Sequence, residues 1–227
     1  MRLPALALVD LDGTLVDSLP DIAFCVDRML ERLGLPPAGP ERVRGWVGNG
    51  IDVLVERALA DDPSPEPRHA QALTLFKELY AAHTSDRSRV YDGVREGLEF
   101  LDGAHVALGC VTNKPARYAE KLLAALDLDR YFSLVVGGDS VAEKKPHPMP
   151  LLHAARHFGA DAAESLLIGD SVNDVAAARA AGFGIVCVTY GYNHDGDIRA
   201  SRPDALIDSL ADLPKLFNSP GEENFSH

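Results

Sequence analysis

The sequence has few cysteines and no long hydrophobic run. Its three cysteines, Cys25, Cys110 and Cys187, are widely spaced, odd in number and set among apolar residues. This pattern excludes a disulfide framework and predicts small buried side chains in a reducing compartment. No stretch approaches the ~20 apolar residues of a membrane span, and the apolar run from Leu3 to Val9 lacks a small-residue cleavage site. We therefore expect a soluble, cytoplasmic protein without a signal peptide.

Basic residues are also scarce. Against 34 Asp and Glu side chains the chain has 22 Lys and Arg, which gives a formal net charge of −12. Such a surface repels phosphate backbones and anionic lipids, so nucleic acid and membrane are poor candidates for partners. Hydrophobic residues make up 46% and charged residues 25% of the chain, which excludes extensive disorder. At roughly 150 residues per domain, 227 residues predict one large domain or a medium domain with a smaller one.

Short apolar runs alternate with helical patterns along most of the chain. The runs have the composition of strands that are buried on both faces of a parallel sheet. This alternation predicts an α/β fold with a doubly wound parallel sheet, that is, a Rossmann-like core. The runs are Leu6–Val9, Val106–Val111, Leu134–Val136, Ser165–Ile168 and Ile185–Val188, and the helical patterns between them are Ala116–Leu126, Pro150–Phe158 and Val172–Ala181.

Residues 18–84 interrupt this alternation with helical patterns alone. Ser18 is a potential N-cap for the first of them. We expect a helical insert after the first strand, with residues 1–17 and 85–227 forming the sheet domain. A polar tail from Asn218 onward is expected to be loosely ordered. The helical patterns of the insert are Leu19–Leu33, Val53–Leu59 and Ala70–Ala82.

Polar and charged side chains follow four of the predicted strands. Because ligands of an open α/β sheet bind beyond the carboxyl ends of its strands, these loops are expected to face one site. Gly13 allows a tight turn with positive φ, and Thr14 can orient a neighbouring oxygen. The candidate residues are Asp10, Asp12, Gly13 and Thr14 after the first strand, Thr112 and Asn113 after the second, Lys144 and Lys145 after the third, and Asp170 and Asp174 after the fourth.

The acidic residues of these loops predict a metal site. Clustered carboxylates repel one another unless a cation offsets their charge, and oxygen ligands of this kind suit Mg²⁺. Asp10 and Asp12 are two residues apart, so in an extended chain their side chains point the same way. Asp170 and Asp174 are four apart and are expected to share one face at the start of a helix. A carboxylate can also form an aspartyl phosphate while a second carboxyl acts as acid and then as base.

In this order the four loops resemble the four motifs of the haloacid dehalogenase (HAD) superfamily of phosphohydrolases. The resemblance implies that Asp10 is the nucleophile that becomes phosphorylated. It implies that Asp12 protonates the leaving oxygen and then activates water. Mg²⁺ would be held by Asp10, by Asp12 through its carbonyl and by Asp170. Asp174 would support these ligands without binding the ion itself.

The same resemblance implies how the phosphoryl group is held. Thr112 and a lysine would bind the phosphoryl oxygens, with Asn113 as a further substrate-binding residue. The lysine is placed at Lys145 because that residue directly precedes Pro146, and Lys144 is the alternative.

Further segments are similar to the bacterial phosphoglycolate phosphatase branch of the superfamily. The similarity spans about residues 5–216. It implies that the 18–84 insert is a mobile helical cap over the active site and that the substrate is a small phosphorylated metabolite, 2-phosphoglycolate. The turn Gly48-Asn49-Gly50 is interpreted as a part of the cap that contributes to substrate selection. The segments are Trp46–Gly50, Lys144–Pro150 and Thr189–His194.

Other functions stay open at this level. A phosphatase of this type could act on another small phosphate such as a sugar phosphate, and a sugar phosphomutase would differ only by protecting its aspartyl phosphate from water. The non-enzymatic alternative is a phosphate-binding regulatory module, which is expected to lack Asp10, Asp12 or Asp170, and all three are present. His153 and His157 have a metal-capable spacing, but without a third ligand nearby they indicate a solvated helix face.

Overall fold

The structure, a computed structural model, describes residues 1–62, 65–193 and 196–217. The tail from Asn218 onward, expected to be loosely ordered, lies outside these residues, as does His194. Within the described ranges no helix is both long enough and apolar enough to cross a bilayer.

Six parallel strands form the central sheet and confirm the predicted α/β class. Their order is β5-β4-β1-β6-β7-β8, and every neighbouring pair is parallel, whereas β2 and β3 form a separate antiparallel pair. Because β4, β1 and β6 lie side by side, the loops that follow them meet at one edge of the sheet. Over the described residues the strands are β1 (Leu6–Val9), β2 (Val16–Asp17), β3 (Arg89–Val90), β4 (Ala107–Val111), β5 (Leu134–Val136), β6 (Ser165–Gly169), β7 (Gly184–Val188) and β8 (Ala205–Ile207).

Helices cover both faces of this sheet, so the predicted doubly wound arrangement is confirmed. The described helices are α1 (Leu19–Arg32), α2 (Pro40–Arg44), α3 (Ile51–Ala58), α4 (Pro65–Ala82), α5 (Val94–Gly103), α6 (Ala116–Ala125), α7 (Met149–Phe158), α8 (Val172–Ala181) and α9 (Leu213–Phe217). Side chains alternate along a strand. Ala7 and Val9 therefore share a core with α5 and α6, while Leu6 and Leu8 share one with α7 and α8. Because β1 is buried on both faces, its sequence is continuously apolar.

The three cysteines are core side chains. Cys110 and Cys187 lie in the cores on opposite faces of the sheet, and Cys25 lies in the core of the helical insert. All three are buried and free of disulfides, and burial raises the pKa of each thiol, so each stays protonated. They behave as the small buried side chains that their apolar surroundings predict.

The helices α1 to α4 lie between β2 and β3 in the chain and have a core of their own, which includes Val55 and Phe76. Asp21, near the start of α1, fastens the two ends of this insert together. Its fully buried carboxylate accepts hydrogen bonds from the backbone N–H groups of Arg87 and Ser88 and from the Ser88 hydroxyl, at 2.7 to 2.9 Å. The chain that enters the insert is thereby tied to the chain that leaves it.

Several boundaries differ from those that the sequence patterns predict. Helix α4 begins at Pro65 and not at Ala70, because prolines are tolerated in the first turn, where no intrahelical N–H partner is lost. Ser18 precedes α1, but its hydroxyl donates to Asp12 at 2.5 Å and does not cap the helix. The elements β2, β3, β8, α2, α5 and α9 were not predicted, since α5 contains an internal glycine and the others are too short to show a period.

Candidate active site

The carboxyl end of β1 places Asp10 at the centre of the candidate site. Its backbone N–H donates to the carbonyl of Ile168 at 2.9 Å, which extends the pairing of β1 with β6 by one residue. Its Oδ1 accepts a hydrogen bond from the Leu11 N–H at 2.8 Å and lies 2.9 Å from Lys145 Nζ. The carboxylate of Asp10 is therefore held in place by the sheet, the following turn and a lysine.

Lys145 balances two buried carboxylates. Its ammonium lies 2.9 Å from Asp10 Oδ1, 2.7 Å from Asp174 Oδ1 and 2.7 Å from the carbonyl oxygen of Val111. These partners use all three of its N–H donors. Although burial opposes the shift, the charges of Asp10 and Asp174 raise the pKa of Lys145, so it is a fixed positive charge.

Asp170 is held at the carboxyl end of β6 by the loops around it. Its Oδ2 accepts from the Tyr192 N–H at 2.7 Å, and its Oδ1 accepts from the Thr14 hydroxyl at 3.2 Å. A Cβ on Gly191 would lie 2.1 Å from the Cβ of Asp170, and one on Gly13 would lie 2.5 Å from its Oδ2. Gly13 also has a φ of +85°, as its expected tight turn requires. Both glycines let backbone approach this carboxylate.

Asp174 is the third residue of α8 and lies behind the site. Its Oδ2 accepts from the backbone N–H and the hydroxyl of Ser171 at 3.1 and 2.6 Å, and its Oδ1 accepts from Lys145. Asp170 precedes the helix, which begins at Val172, so the expectation that Asp170 and Asp174 share a face of its first turn is wrong. The two carboxylates approach because Asp174 folds back over the N-terminus of the helix as its cap.

Asp12 lines the same cavity as Asp10 but has a different lysine partner. Its two oxygens lie 2.7 and 2.9 Å from Lys114 Nζ, and Ser18 Oγ donates to one of them at 2.5 Å. Lys114 was not singled out in the sequence. Its position in the sequence could have indicated a site residue, since Lys114 directly follows the predicted residues Thr112 and Asn113 at the end of β4.

The two predicted residues at the end of β4 have different neighbours. Thr112 is buried and lines the cavity, and its hydroxyl accepts from the Lys114 N–H at 3.2 Å. Asn113 uses both N–H donors of its amide on carbonyl oxygens, those of Gly48 at 2.9 Å and Lys145 at 2.8 Å. The side chain of Asn113 therefore joins the insert to the lysine loop and has no N–H left for a phosphoryl oxygen.

Three acidic residues form a candidate metal centre. One oxygen from each of Asp10, Asp170 and Asp174 lies within 4.8 Å of the others, and all three residues are buried. Carboxylate oxygens are the ligands that Mg²⁺ prefers. Asp174 Oδ1 is paired with the Lys145 ammonium and its Oδ2 accepts two hydrogen bonds from Ser171, whereas each oxygen of Asp170 accepts only one. Asp10 and Asp170 are therefore the side chains that could hold the ion.

The electrostatics of the cluster fit a cation. Burial, reinforced by the charge of Asp174, raises the pKa of Asp10 to about 7 although Lys145 opposes the shift. Burial and the charges of Asp174 and Asp10 also raise the pKa of Asp170. Two carboxyl groups that resist ionisation together are stabilised in their charged forms by a divalent cation between them.

We expect the metal-free protein to lose stability as the pH rises through 7. Asp10 ionises at its ordinary pKa of 3.8 when unfolded but only at about 7 when folded, so between these values the folded state holds the extra proton. The stabilisation is fully present below the lower pKa and is lost as the pH rises through the upper one. From about pH 5.5 to about pH 8 the free energy of unfolding should fall by about 2 kcal/mol.

Urea unfolding in the presence of a chelator measures this loss. Added Mg²⁺ should raise the free energy of unfolding more at about pH 8 than at about pH 5.5, because at the higher pH Asp10 can bind the ion without first losing a proton. A metal-free stability that is constant or increases over this range would contradict the prediction.

A small cavity separates the carboxylates from the helical insert. It offers about 50 Å³, which is enough space for a few water molecules or one small ligand. The sheet side of the cavity is polar and the insert side is mostly apolar. The apolar lining is Ile22, Val47, Ile51, Leu54 and Phe76, and the polar lining includes Asp10, Asp12, Thr112, Lys114 and Asp170.

Side chains of the sheet domain hold the turn Gly48-Asn49-Gly50 against the site. Besides the bond from Asn113, Asn173 Nδ2 donates to Asn49 Oδ1 at 2.7 Å and Lys144 Nζ donates to the Asn49 carbonyl at 2.8 Å. Lys144 is therefore a contact to the insert. Lys145 is the lysine that reaches the carboxylates of Asp10 and Asp174.

The family model of haloacid dehalogenase-like hydrolases matches residues 7–188 of the chain. This match covers well over half of the sequence and contains all four loops of the site. The chain belongs to the haloacid dehalogenase-like hydrolase family. The resemblance inferred from the four motifs is thereby confirmed, and the three-carboxylate centre of this hydrolase could hold a metal ion.

Relatives are similar to this hydrolase over nearly the whole length of its chain. A protein of Nitrosococcus oceani named phosphoglycolate phosphatase is 52% identical over 221 residues, which cover 96% of this chain and 98% of that protein. Phosphoglycolate phosphatase 1 of Pseudomonas aeruginosa is 46% identical over 216 residues, which cover 93% of this chain and 79% of that protein. Among solved structures, one from Haemophilus somnus, described as a predicted phosphoglycolate phosphatase, is 39% identical with a TM-score of 0.91 and covers 95% of this chain and 99% of that chain.

Proposed function

We propose that this hydrolase cleaves 2-phosphoglycolate to glycolate and phosphate. One observation carries the proposal: the carboxylates suited to phosphoryl transfer, Asp10, Asp12 and Asp170, line a single small cavity in a chain that matches phosphoglycolate phosphatases over nearly its full length. The substrate, a small phosphorylated metabolite, would lie between these carboxylates and the apolar side chains of the insert.

Asp10 and Asp12 divide the proton and phosphoryl chemistry between them. A carboxylate oxygen of Asp10 attacks phosphorus, the bond from phosphorus to the alcohol oxygen breaks, and Asp12 gives that oxygen a proton. Asp12 then takes a proton from water as the water oxygen attacks phosphorus. Phosphate leaves, and the carboxylate of Asp10 is restored. Each acid is held by its own lysine, Lys145 beside Asp10 and Lys114 beside Asp12.

Mg²⁺ is the cofactor that we propose for the carboxylate cluster. Asp10, Asp170 and the carbonyl of Asp12 would hold it, and when bound it would offset negative charge on the phosphoryl oxygens. Asp174 contributes indirectly, because it orients Lys145 and caps α8 at the base of the site. Thr112 and Lys145 would keep the phosphoryl end of the cavity polar and positive.

Residues 18–84 are proposed to act as a cap on a core formed by residues 1–17 and 85–227. The cap contributes mostly apolar side chains to the cavity, and hydrogen bonds to its Gly48-Asn49-Gly50 turn link it to the core. Apolar walls exclude water from the phosphoryl intermediate until the product alcohol leaves. They also provide few partners for the hydroxyl groups of a sugar phosphate, which favours a short substrate without a polyol chain.

Phosphate release from a panel of phosphate esters tests the proposed function. The panel contains 2-phosphoglycolate, glucose 6-phosphate, glucose 1-phosphate and ribose 5-phosphate, each with Mg²⁺ and with a chelator. We expect kcat/KM for 2-phosphoglycolate to exceed that for each sugar phosphate by about 100-fold or more, and to require Mg²⁺. A sugar phosphate as the preferred substrate, or binding of phosphate esters without turnover, would overturn the proposal.

A further inference from the structure

The mechanism proposed above gives Lys114 no contact with the substrate. Among the described residues that line the cavity, Lys114 is the only basic one. Its side chain is 4% exposed, and its ammonium donates hydrogen bonds to the two oxygens of Asp12. An ammonium has three N–H donors, so one of them is available to a ligand in the cavity.

The cap brings a second unused donor to the same place. Tyr80 of α4 lines the cavity and is 1% exposed, and its buried hydroxyl has no hydrogen-bond partner among the described residues. The ammonium of Lys114 lies 4.9 Å from the centre of the Tyr80 ring. Burial raises the pKa of Tyr80, which keeps the hydroxyl protonated and able to donate. A buried donor without a partner is unfavourable, so an acceptor that enters the cavity here is favoured.

The chemistry of the reaction indicates which acceptor this is. Asp12 protonates the oxygen that bridges phosphorus and the alcohol, so that oxygen must lie beside Asp12. In 2-phosphoglycolate the carboxyl carbon is two bonds from this oxygen, which places the carboxylate next to the immediate neighbours of Asp12. Lys114 is such a neighbour, at 2.7 and 2.9 Å, whereas the donors of Lys145 are all in use at the phosphoryl end.

We propose that Lys114 and Tyr80 form a subsite for the carboxylate of the leaving alcohol. The ammonium of Lys114 supplies the charge and a donor, and the Tyr80 hydroxyl supplies a second donor from the cap. The subsite selects phosphate esters that have an anionic group adjacent to the ester carbon. It is complete only when the cap is in place, because Tyr80 belongs to the cap and Lys114 to the core. This inference rests on the proposed hydrolysis of 2-phosphoglycolate.

Two esters of nearly equal size test the subsite. One is 2-phosphoglycolate, and the other is its carboxamide, in which a neutral amide replaces the carboxylate. The measured quantity is the ratio of their kcat/KM values. We expect the wild-type enzyme to favour the carboxylate by at least about 100-fold, since a site built for a charged acceptor discriminates strongly against its neutral analogue.

Three variants then locate the source of the preference. Lys114→Met should reduce the ratio to below about 10, with activity toward both esters lowered because Asp12 also loses a partner. Tyr80→Phe should reduce the ratio about tenfold, and it removes a hydroxyl that no protein group uses. Lys144→Met is the matched control, because it also removes a lysine near the site but one that contacts the cap and does not line the cavity. It should leave the ratio unchanged.

The outcomes separate this inference from the proposed function. If the wild type prefers sugar phosphates, the proposed function fails and the subsite fails with it. If the wild type prefers 2-phosphoglycolate and Lys114→Met retains the wild-type ratio, Lys114 acts only through Asp12 and the subsite alone is overturned. Should Lys114→Met not fold, Tyr80→Phe decides, since an unchanged ratio in that variant also overturns the subsite.

Discussion

Replacing Asp10 with asparagine is expected to lower kcat for 2-phosphoglycolate by at least about 10⁴-fold. The amide is nearly the same size as the carboxyl group but cannot attack phosphorus. The structural neighbours of Asp10, the carbonyl of Ile168 and the N–H of Leu11, can still be satisfied by asparagine. The loss of turnover would therefore be due to the missing nucleophilic oxygen and not to a change in the structure of the site.

Two further measurements distinguish a nucleophile from a structural residue. Metal-free Asp10→Asn should be at least as stable as the wild type near pH 8, because it removes a buried charge, and its stability should depend less on pH. Asp139→Asn serves as the control, since Asp139 is an exposed acid near the same edge of the sheet that accepts from the Ala116 N–H. It should retain turnover within about twofold. Substantial activity in Asp10→Asn would contradict the assignment of the nucleophile.

Replacing Lys145 with methionine is expected to have the largest effect on stability. The ammonium lies within 2.9 Å of both Asp10 and Asp174, and neither carboxylate has another cation at this distance within the described ranges. Removing one partner from a buried ionic group leaves an uncompensated charge and costs about 3–5 kcal/mol. Turnover should also be lost, because Asp10 is no longer held in its attacking position.

Urea unfolding of metal-free Lys145→Met at neutral pH measures this cost. Lys144→Met is the matched control, since Lys144 contributes one hydrogen bond to the cap, and its loss should cost about 1 kcal/mol. Mg²⁺ should restore part of the stability of Lys145→Met by replacing the missing positive charge. Equal stabilities of the two variants would contradict the view that Lys145 is the charge on which the cluster depends.

The site residues that could be predicted from the sequence are those that directly follow a single buried strand. Asp10, Thr112 and Asp170 directly follow buried apolar strands, and a parallel sheet brings the ends of such strands together. The choice of Lys145 over Lys144 depended on a neighbouring proline, and the structure places Lys145 on the carboxylates.

The parts that could not be predicted depend on contacts between distant segments. Tyr80 lies near the C-terminal end of α4, and no local pattern shows that its side chain lines the cavity beside Lys114. The prediction that Asp170 and Asp174 share one helical face is wrong for a similar reason. A four-residue interval predicts a shared helical face only if both residues are helical, and the position of the N-cap at Ser171 decides this.

Ser18 lies between β2 and α1, where the chain enters the helical insert, and its side chain contacts Asp12, the proposed acid. Its hydroxyl donates to Asp12, and its backbone N–H donates to the hydroxyl of Tyr192 at 2.9 Å. If the insert acts as the proposed cap, a rotation about this residue would change the hydrogen bonding of Asp12 without any contact to the substrate. We therefore expect proton transfer by Asp12, the proposed acid, to depend on the position of the proposed cap, so that a phosphate ester too bulky to allow closure would be hydrolysed slowly.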